Sequence, residues 1–305
     1  FDEQQASLAV STATSGEYND MMYDMMESNK SFGVDVKAAG EAISGLHTEM
    51  MAFSTMNKET QTQLATTSAR MKALGVDGAT AGKQFDAMIM GMGMTAKQAD
   101  KASLELVSLG ENLGIAADKM SKDFASAAKD LGKYGPEATE VFKNLAAAAK
   151  ATGIEMDSLL GITNQFNTFE GAAEAAGKLN AVLGGGVINS MDLLNAKEEE
   201  RIRLVIQAME LSGKNFDSMN QHERLMMANT LGIKDMTEAN KLFSMSLSAY
   251  DEMQSKAGEA SAEQAKLQER AQAAQTAMQK FEQIGQAFAV AFMPILDFMH
   301  GFANI

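Results

Sequence analysis

The sequence predicts an all-α fold, a stack of helical hairpins followed by a long coiled-coil-like helix. Three observations carry that expectation. Among 305 residues there are only two prolines and no tryptophan, against 25 methionines and abundant alanine, so strong helix breakers are scarce and helix formers dominate. A glycine phrase, "LGVDGATAGKQF" at 74–85, returns as "LGIAADKMSKDF" at 113–124. The last segment carries apolar residues at heptad spacing.

Residues 1–32 read as a helical lead-in, with Met21, Met22, Met25 and Met26 grouped around Asp20, Tyr23 and Asp24. Methionine is a flexible filler of irregular cores, which is one reading of this cluster and of "MIMGMGM" (88–94) and "RLMMANT" (224–230). The other reading is an adaptable surface that packs against partners.

Helical-hairpin repeats are expected over 33–185. Gly75, Gly114 and Gly153 are spaced 39 and 39 residues apart. Gly75 to Phe85 and Gly114 to Phe124 both span 10, while Gly75 to Ala99 and Gly114 to Ala138 both span 24. Each glycine is expected to cap the C-terminus of one helix, with a β-branched residue packing behind it and Asp77, Asp118 or Asp157 available to cap the next. The second helix of each unit is expected to start at Thr95, a capping residue, or at Pro136, suited to a first helical position. Fainter copies stand at "FGVDVKAAG" (32–40) and at "LGIKDMTEANKLF" (231–243), where Gly232 takes the turn position. Residues 186–250 read as degraded repeats. A period of this length is the mark of helical hairpins that bury their apolar faces against their neighbours.

From 251 to 305 a long helix is expected. Met253, Ala260, Leu267, Ala274, Phe281, Phe288 and Ile295 form one line, and Ala257, Gln264, Ala271, Met278, Gly285, Phe292 and Met299 a second, four residues on. Spacings of four and three make a coiled-coil seam. A self-associating helix, as a trimer or alternatively a hexamer, and a helix packed on its own hairpin array both account for the pattern. The terminal stretch "IGQAFAVAFMPILDFMHGFANI" is broken by Gln286, Pro294, Asp297 and His300, so its apolar run is shorter than the roughly 20 residues a membrane-spanning helix needs. Membrane contact through 281–305 stays open as an alternative.

Catalytic chemistry is hard to find in this chain. There is no cysteine, hence no disulfide, thiolate metal site or thiol nucleophile. His47, His222 and His300 are far apart and match no metal-ligand spacing. The glycine-rich "GMGMTA" and "LGGGV" lack the lysine and hydroxyl of a phosphate loop and read as helix ends. "KEEERIR" (197–203), acids followed by bases at helical spacing, reads as a solvated face. No cofactor, metal or enzymatic activity is expected. With 26 basic against 40 acidic residues, a net charge of −14, the chain repels phosphate backbones, and no specific nucleic-acid binding is expected. It starts at Phe1 without a charged-then-apolar signal sequence, and reads as an internal part of a longer chain.

Several of these phrases resemble one family. Leu113-Gly114-Ile115 and Thr152-Gly153-Ile154 before one helix, Thr95-Ala96-Lys97-Gln98-Ala99 and Pro136-Glu137-Ala138 before the next, and "AFMPILDFM" (291–299) at the end of a long amphipathic helix are similar to the tail tape measure proteins of long-tailed bacteriophages and prophages. The resemblance spans residues 33–299 and is one of pattern. It implies a virion protein lying in the lumen of the tail tube or tail tip, present in the host cytoplasm during assembly. It would contact tube subunits and tail-tip or baseplate-hub proteins, set tube length and leave at genome ejection. One helix of 305 residues would span roughly 460 Å at 1.5 Å per residue, and a hairpin array far less, so the array is expected to be a folded section and the heptad helix the axial one. A membrane-active or pore-forming helical protein and a filament subunit are the competing expectations.

Overall fold

The computed structural model describes residues 2–255, and among them every regular element is helical, with no strand. The all-α expectation holds. The heptad positions Ala260, Leu267, Ala271, Ala274, Met278, Phe281, Phe288 and Phe292 lie outside the described residues, as does the expected trimeric seam; Met253, within them, is half-buried.

A lead-in of α1 (Asp2–Thr12) and α2 (Asn19–Asn29) is followed by α3 (Val36–Glu49), α4 (Lys58–Ala73), α5 (Gly78–Asp86), α6 (Ala96–Leu113), α7 (Ala117–Leu131), α8 (Ala138–Thr152), α9 (Met156–Asn164) and α10 (Phe169–Leu183). Then come α11 (Ser190–Asn195), α12 (Glu198–Leu211), α13 (Gln221–Thr230), α14 (Met236–Phe243) and a further helical stretch over 247–255.

Chain reversal in the array is made by left-handed glycines. At Gly75 (φ 96°) the N–H of Val76 bonds back to the carbonyl of Met71 and that of Gly75 to Lys72, both at 3.0 Å. The same pair of bonds recurs at Gly114 (φ 63°), where the Ile115 N–H reaches Gly110 at 2.7 Å, and at Gly232 (φ 71°), where that of Ile233 reaches Ala228 at 2.9 Å. This is the Schellman closure, which satisfies carbonyls that a helix end leaves orphaned. Gly153 (φ 67°) departs slightly, closing with one bond from its own N–H to Ala149 at 2.8 Å. Val76, Ile154 and Ile233 behind these glycines are buried and Ile115 is half-buried, as their β-branched apolar character suggests.

The expected caps divide. Asp77 caps α5, its Oδ1 accepting from the Thr80 N–H at 2.8 Å. Burial pushes its carboxyl up, but the bonds from the Thr80 backbone and hydroxyl, with Lys122 nearby, outweigh that and hold it below the usual range. Asp118 and Asp157 are not caps: α5, α7 and α9 all begin three residues after their glycine, so an acid four residues on falls inside the first turn, behind Ala116 and Glu155. There its charge still favours the helix dipole. Thr95 caps α6 in a reciprocal box with Gln98. Pro136 does not open α8: it sits in a 3-10 turn, Gly132–Glu137, in which Gly135 turns left-handed (φ 55°), and the α-helix starts two residues later at Ala138.

These helices form two rows. In one, α3 packs on α5, α5 on α7 and α7 on α9; in the other, α4 packs on α6, α6 on α8 and α8 on α12. The first row starts with near-touching backbones. A β-carbon at Gly45 would lie 2.1 Å from the Gly78 carbonyl oxygen, one at Gly78 2.3 Å from that of Glu41, and one at Gly82 2.5 Å from that of Gly45. Gly78 and Gly82 stand three and seven residues after Gly75. The corresponding residues after Gly114 are Ala117 and Ser121, and after Gly153 Met156 and Leu160, all buried. Glycine at both positions thus gives way to larger residues along the row.

Two apolar clusters fill the interior. The first runs from Leu8 to Leu160 and takes in Tyr18, Met22 and Met25 of the lead-in; the second runs from Ala148 to Tyr250. Both draw on α8 and α9: Phe142 and Leu145 face the first, where Phe142 meets Phe124 edge-on at 5.1 Å, while Leu159 and Ile162 face the second. Most clustered methionines are filler, including Met22, Met25, Met88, Met92, Met94 and Met227, although Met90 is 61% and Met226 41% exposed.

The crossing of α3 and α5 yields a prediction. Gly78→Ala forces the two backbones apart and lowers unfolding free energy by about 1–3 kcal/mol in urea titration. Gly177→Ala, at an exposed helical glycine with nothing within 4 Å, raises it by roughly 0.5–1 kcal/mol.

Candidate functional site

The most chemically dense region of the described residues lies where the two clusters meet, on the first turns of α12. It is built from "KEEERIR", and the expectation of a solvated face does not hold: Glu198 and Arg201 are each 6% exposed. The i,i+3 pair, Arg201 Nη1 to Glu198 Oε1 at 3.3 Å, is folded under the C-terminal ends of α9 and α11. Arg201 donates from Nε to the Leu193 carbonyl at 2.9 Å, from Nη2 to Leu194 at 3.2 Å, and from Nη1 to Thr163 at 3.1 Å and Asn167 Oδ1 at 2.8 Å. A buried guanidinium is tolerated because its donors are met and its charge is paired.

Tyr134, from the turn before α8, donates its hydroxyl proton to Glu198 Oε1. Burial and this carboxylate drive the phenol far above its ordinary range. Beside it Lys133 lies 4.9 Å from the Tyr134 ring centre, and burial pulls its ammonium down against the opposing pull of Glu198. Burial raises Glu199, whose Oε1 accepts from Asn144 Nδ2 on α8 at 3.1 Å, while its main-chain carbonyl accepts from the buried Tyr250 hydroxyl at 2.8 Å. Arg203 holds Asp251 with two bonds, 2.8 and 3.1 Å. Four residues of one helix, Glu198, Glu199, Arg201 and Arg203, therefore fasten α8, α9, α11 and the 247–255 stretch.

What this arrangement can do chemically is limited. The tyrosine is kept protonated, the guanidinium has no open face for an anion, and no cysteine or histidine adjoins the carboxylates, so the cluster works as a clamp. His47 packs edge-on to Tyr18 at 5.7 Å, His222 is exposed in the first turn of α13, and His300 lies outside the described residues. Among the described residues no group of acidic and histidine side chains could hold a metal ion, and no helix is long and apolar enough to cross a membrane. The glycines of "GMGMTA" and "LGGGV" include Gly93 (φ 69°), just ahead of the Thr95 cap, and Gly184 (φ 87°), which ends α10. Tyr134, Asn144, Thr163 and Asn167 were not singled out from sequence. Their only signal was the charged run they close over, from more than 30 residues away.

Charge also runs along the rows. Lys122 of α7 reaches Asp118 at 2.6 Å and Asp77 at 3.7 Å, and Lys119 reaches Asp123 at 3.0 Å and Glu155 at 3.4 Å. Exposed pairs of this kind add little stability each.

Comparison of the chain with family models, with curated proteins and with solved structures finds no match.

Arg201→Met should lower stability by about 3–5 kcal/mol because it strands Glu198 without its partner. Arg201→Met combined with Glu198→Leu should recover most of that loss in thermal or urea unfolding.

Proposed function

We propose that the chain is a structural section of a bacteriophage or prophage tail tape measure protein, which sets tube length during assembly and departs at genome ejection. The observation that carries the reading is the turn phrase on which the resemblance rests. At Gly75, Gly114 and Gly153 a left-handed glycine and an apolar β-branched residue close one helix, at intervals of 39 residues, and the next helix starts three residues later. Further support is chemical: the densest polar cluster of the described residues is a clamp with its valences filled, which suits a scaffold better than a catalyst.

On this reading the two-row array is a folded section near one end of the tail, in contact with tail-tip or hub proteins. The heptad segment from Met253 through Ala260, Leu267, Ala274 and Phe281 supplies the axial helix, associating as a trimer or hexamer within the symmetry of the tube. The acidic balance suits a lumen through which DNA must slide without adhering.

Tail length is the direct test. Deleting the 28 residues 253–280, four heptads, should shorten tails by about 40 Å in electron micrographs of assembled particles, from a rise of 1.5 Å per helical residue. Tails of unchanged length would contradict the ruler role of this segment.

A further inference from the structure

We infer that the described part of the chain opens in two steps, with the array around the first apolar cluster released before the second, and with α8 and α9 as the border. The order does not depend on the tail reading.

Size does not separate the two clusters. The first holds 38 buried apolar residues, drawn mostly from 8–146, and the second 28, drawn from 148–250, nearly the same density along the chain. Composition does separate them. In the first, 21 of the 38 are alanine or methionine and 12 are leucine, isoleucine or valine; in the second, 14 of 28 are leucine, isoleucine or valine and only three are methionine. Alanine contributes little area, and methionine gives up more side-chain freedom on burial and specifies packing weakly.

Polar satisfaction divides in the same place. Among the described residues seven carry a buried side-chain atom without a hydrogen-bond partner, and six of them, Asn19, Ser68, Gln84, Asp118, Ser121 and Thr139, belong to the first half. Gln84 is the extreme case: it is fully buried on α5, and neither its amide oxygen nor its nitrogen is bonded. Ser68 and Ser121 are also fully buried. A buried polar group left unpaired loses its hydration without replacement.

The second half pairs its buried polar groups. Arg201 fills its donors as described, and Asn180 accepts from the Val187 and Ile188 N–H groups at 2.9 and 3.0 Å while donating to the Ile188 carbonyl at 2.9 Å. Glu238 accepts from the Glu155 N–H at 3.1 Å and from Ser158 Oγ at 2.7 Å. Its single exception is Arg224 Nε.

Local stability that varies along a chain in contiguous blocks appears as separate opening units in hydrogen exchange. The consequence here is directional: helices α3–α7 come apart while α10–α14, fastened through the α12 clamp, stay folded.

Hydrogen exchange with mass spectrometry on the whole chain, in stepped urea, tests this. Peptides from 36–131 should lose protection at lower urea than peptides from 169–243. The double variant Gln84→Leu/Ser121→Ala removes unpaired groups without touching the second cluster. It should move the first midpoint to higher urea and leave the second in place. A single coincident midpoint in the wild-type chain, or earlier loss in 169–243, would overturn the inference. So would a folded double variant in which the first midpoint does not rise. Should that variant fail to fold, the wild-type order of loss decides by itself.

Discussion

The left-handed glycine that closes a helix is the constraint on which the array depends. At Gly75 and Gly114 the 6→1 bond, Val76 to Met71 and Ile115 to Gly110, is made only when the residue between adopts a positive φ, a conformation that costs an L side chain about 1–2 kcal/mol. The bond turns the chain back, with Val76 buried and Ile115 half-buried behind their glycines. Because α5, α7 and α9 all start three residues after their glycine, each enters in the same phase of the repeat, and the third and seventh residues are buried in all three. Two rows of helices follow from that repetition of phase.

Phase fixes which positions meet; side-chain size fixes how closely. The third and seventh residues after the glycine are Gly78 and Gly82, then Ala117 and Ser121, then Met156 and Leu160. Where both are glycine, α5 rides on the backbone of α3. Where they are Met156 and Leu160, both side chains join the first apolar cluster while Leu159 and Ile162 of the same helix face the second, and the polar clamp of Glu198, Arg201 and Tyr134 forms beside α9.

Much of this was legible in sequence because the signals are local. A glycine before a β-branched residue and a capping threonine ahead of a helical run each act within a few residues, and with a composition poor in helix breakers they made the all-α class, the Thr95 cap and the turns at Gly75, Gly114, Gly153 and Gly232 readable. The failures share a cause as well. Asp118 and Asp157 were read as caps because their distance from the helix start depends on a closure only the backbone reveals. Pro136 was displaced by the left-handed turn at Gly135. "KEEERIR" read as a solvated face, since nothing in the run announces that Thr163 and Asn167, more than 30 residues away, will close over Arg201. Sequence pattern reports local preference, and burial of charge is decided by partners far along the chain.

Whether left-handed closure sets the array is decided by the unfolding free energy of chains carrying D-alanine or L-alanine at Gly75, made by semisynthesis. An L-configured β-carbon there meets nothing within 4 Å, so a cost of L-alanine comes from the sign of φ and not from a clash. With a left-handed turn the D-alanine chain is at least as stable as the parent, through a restricted unfolded state, while the L-alanine chain is weaker by about 1 kcal/mol or more. If the L-alanine chain proved as stable as the D-alanine chain, the turn would not be left-handed, and the common phase of the array would lose its basis.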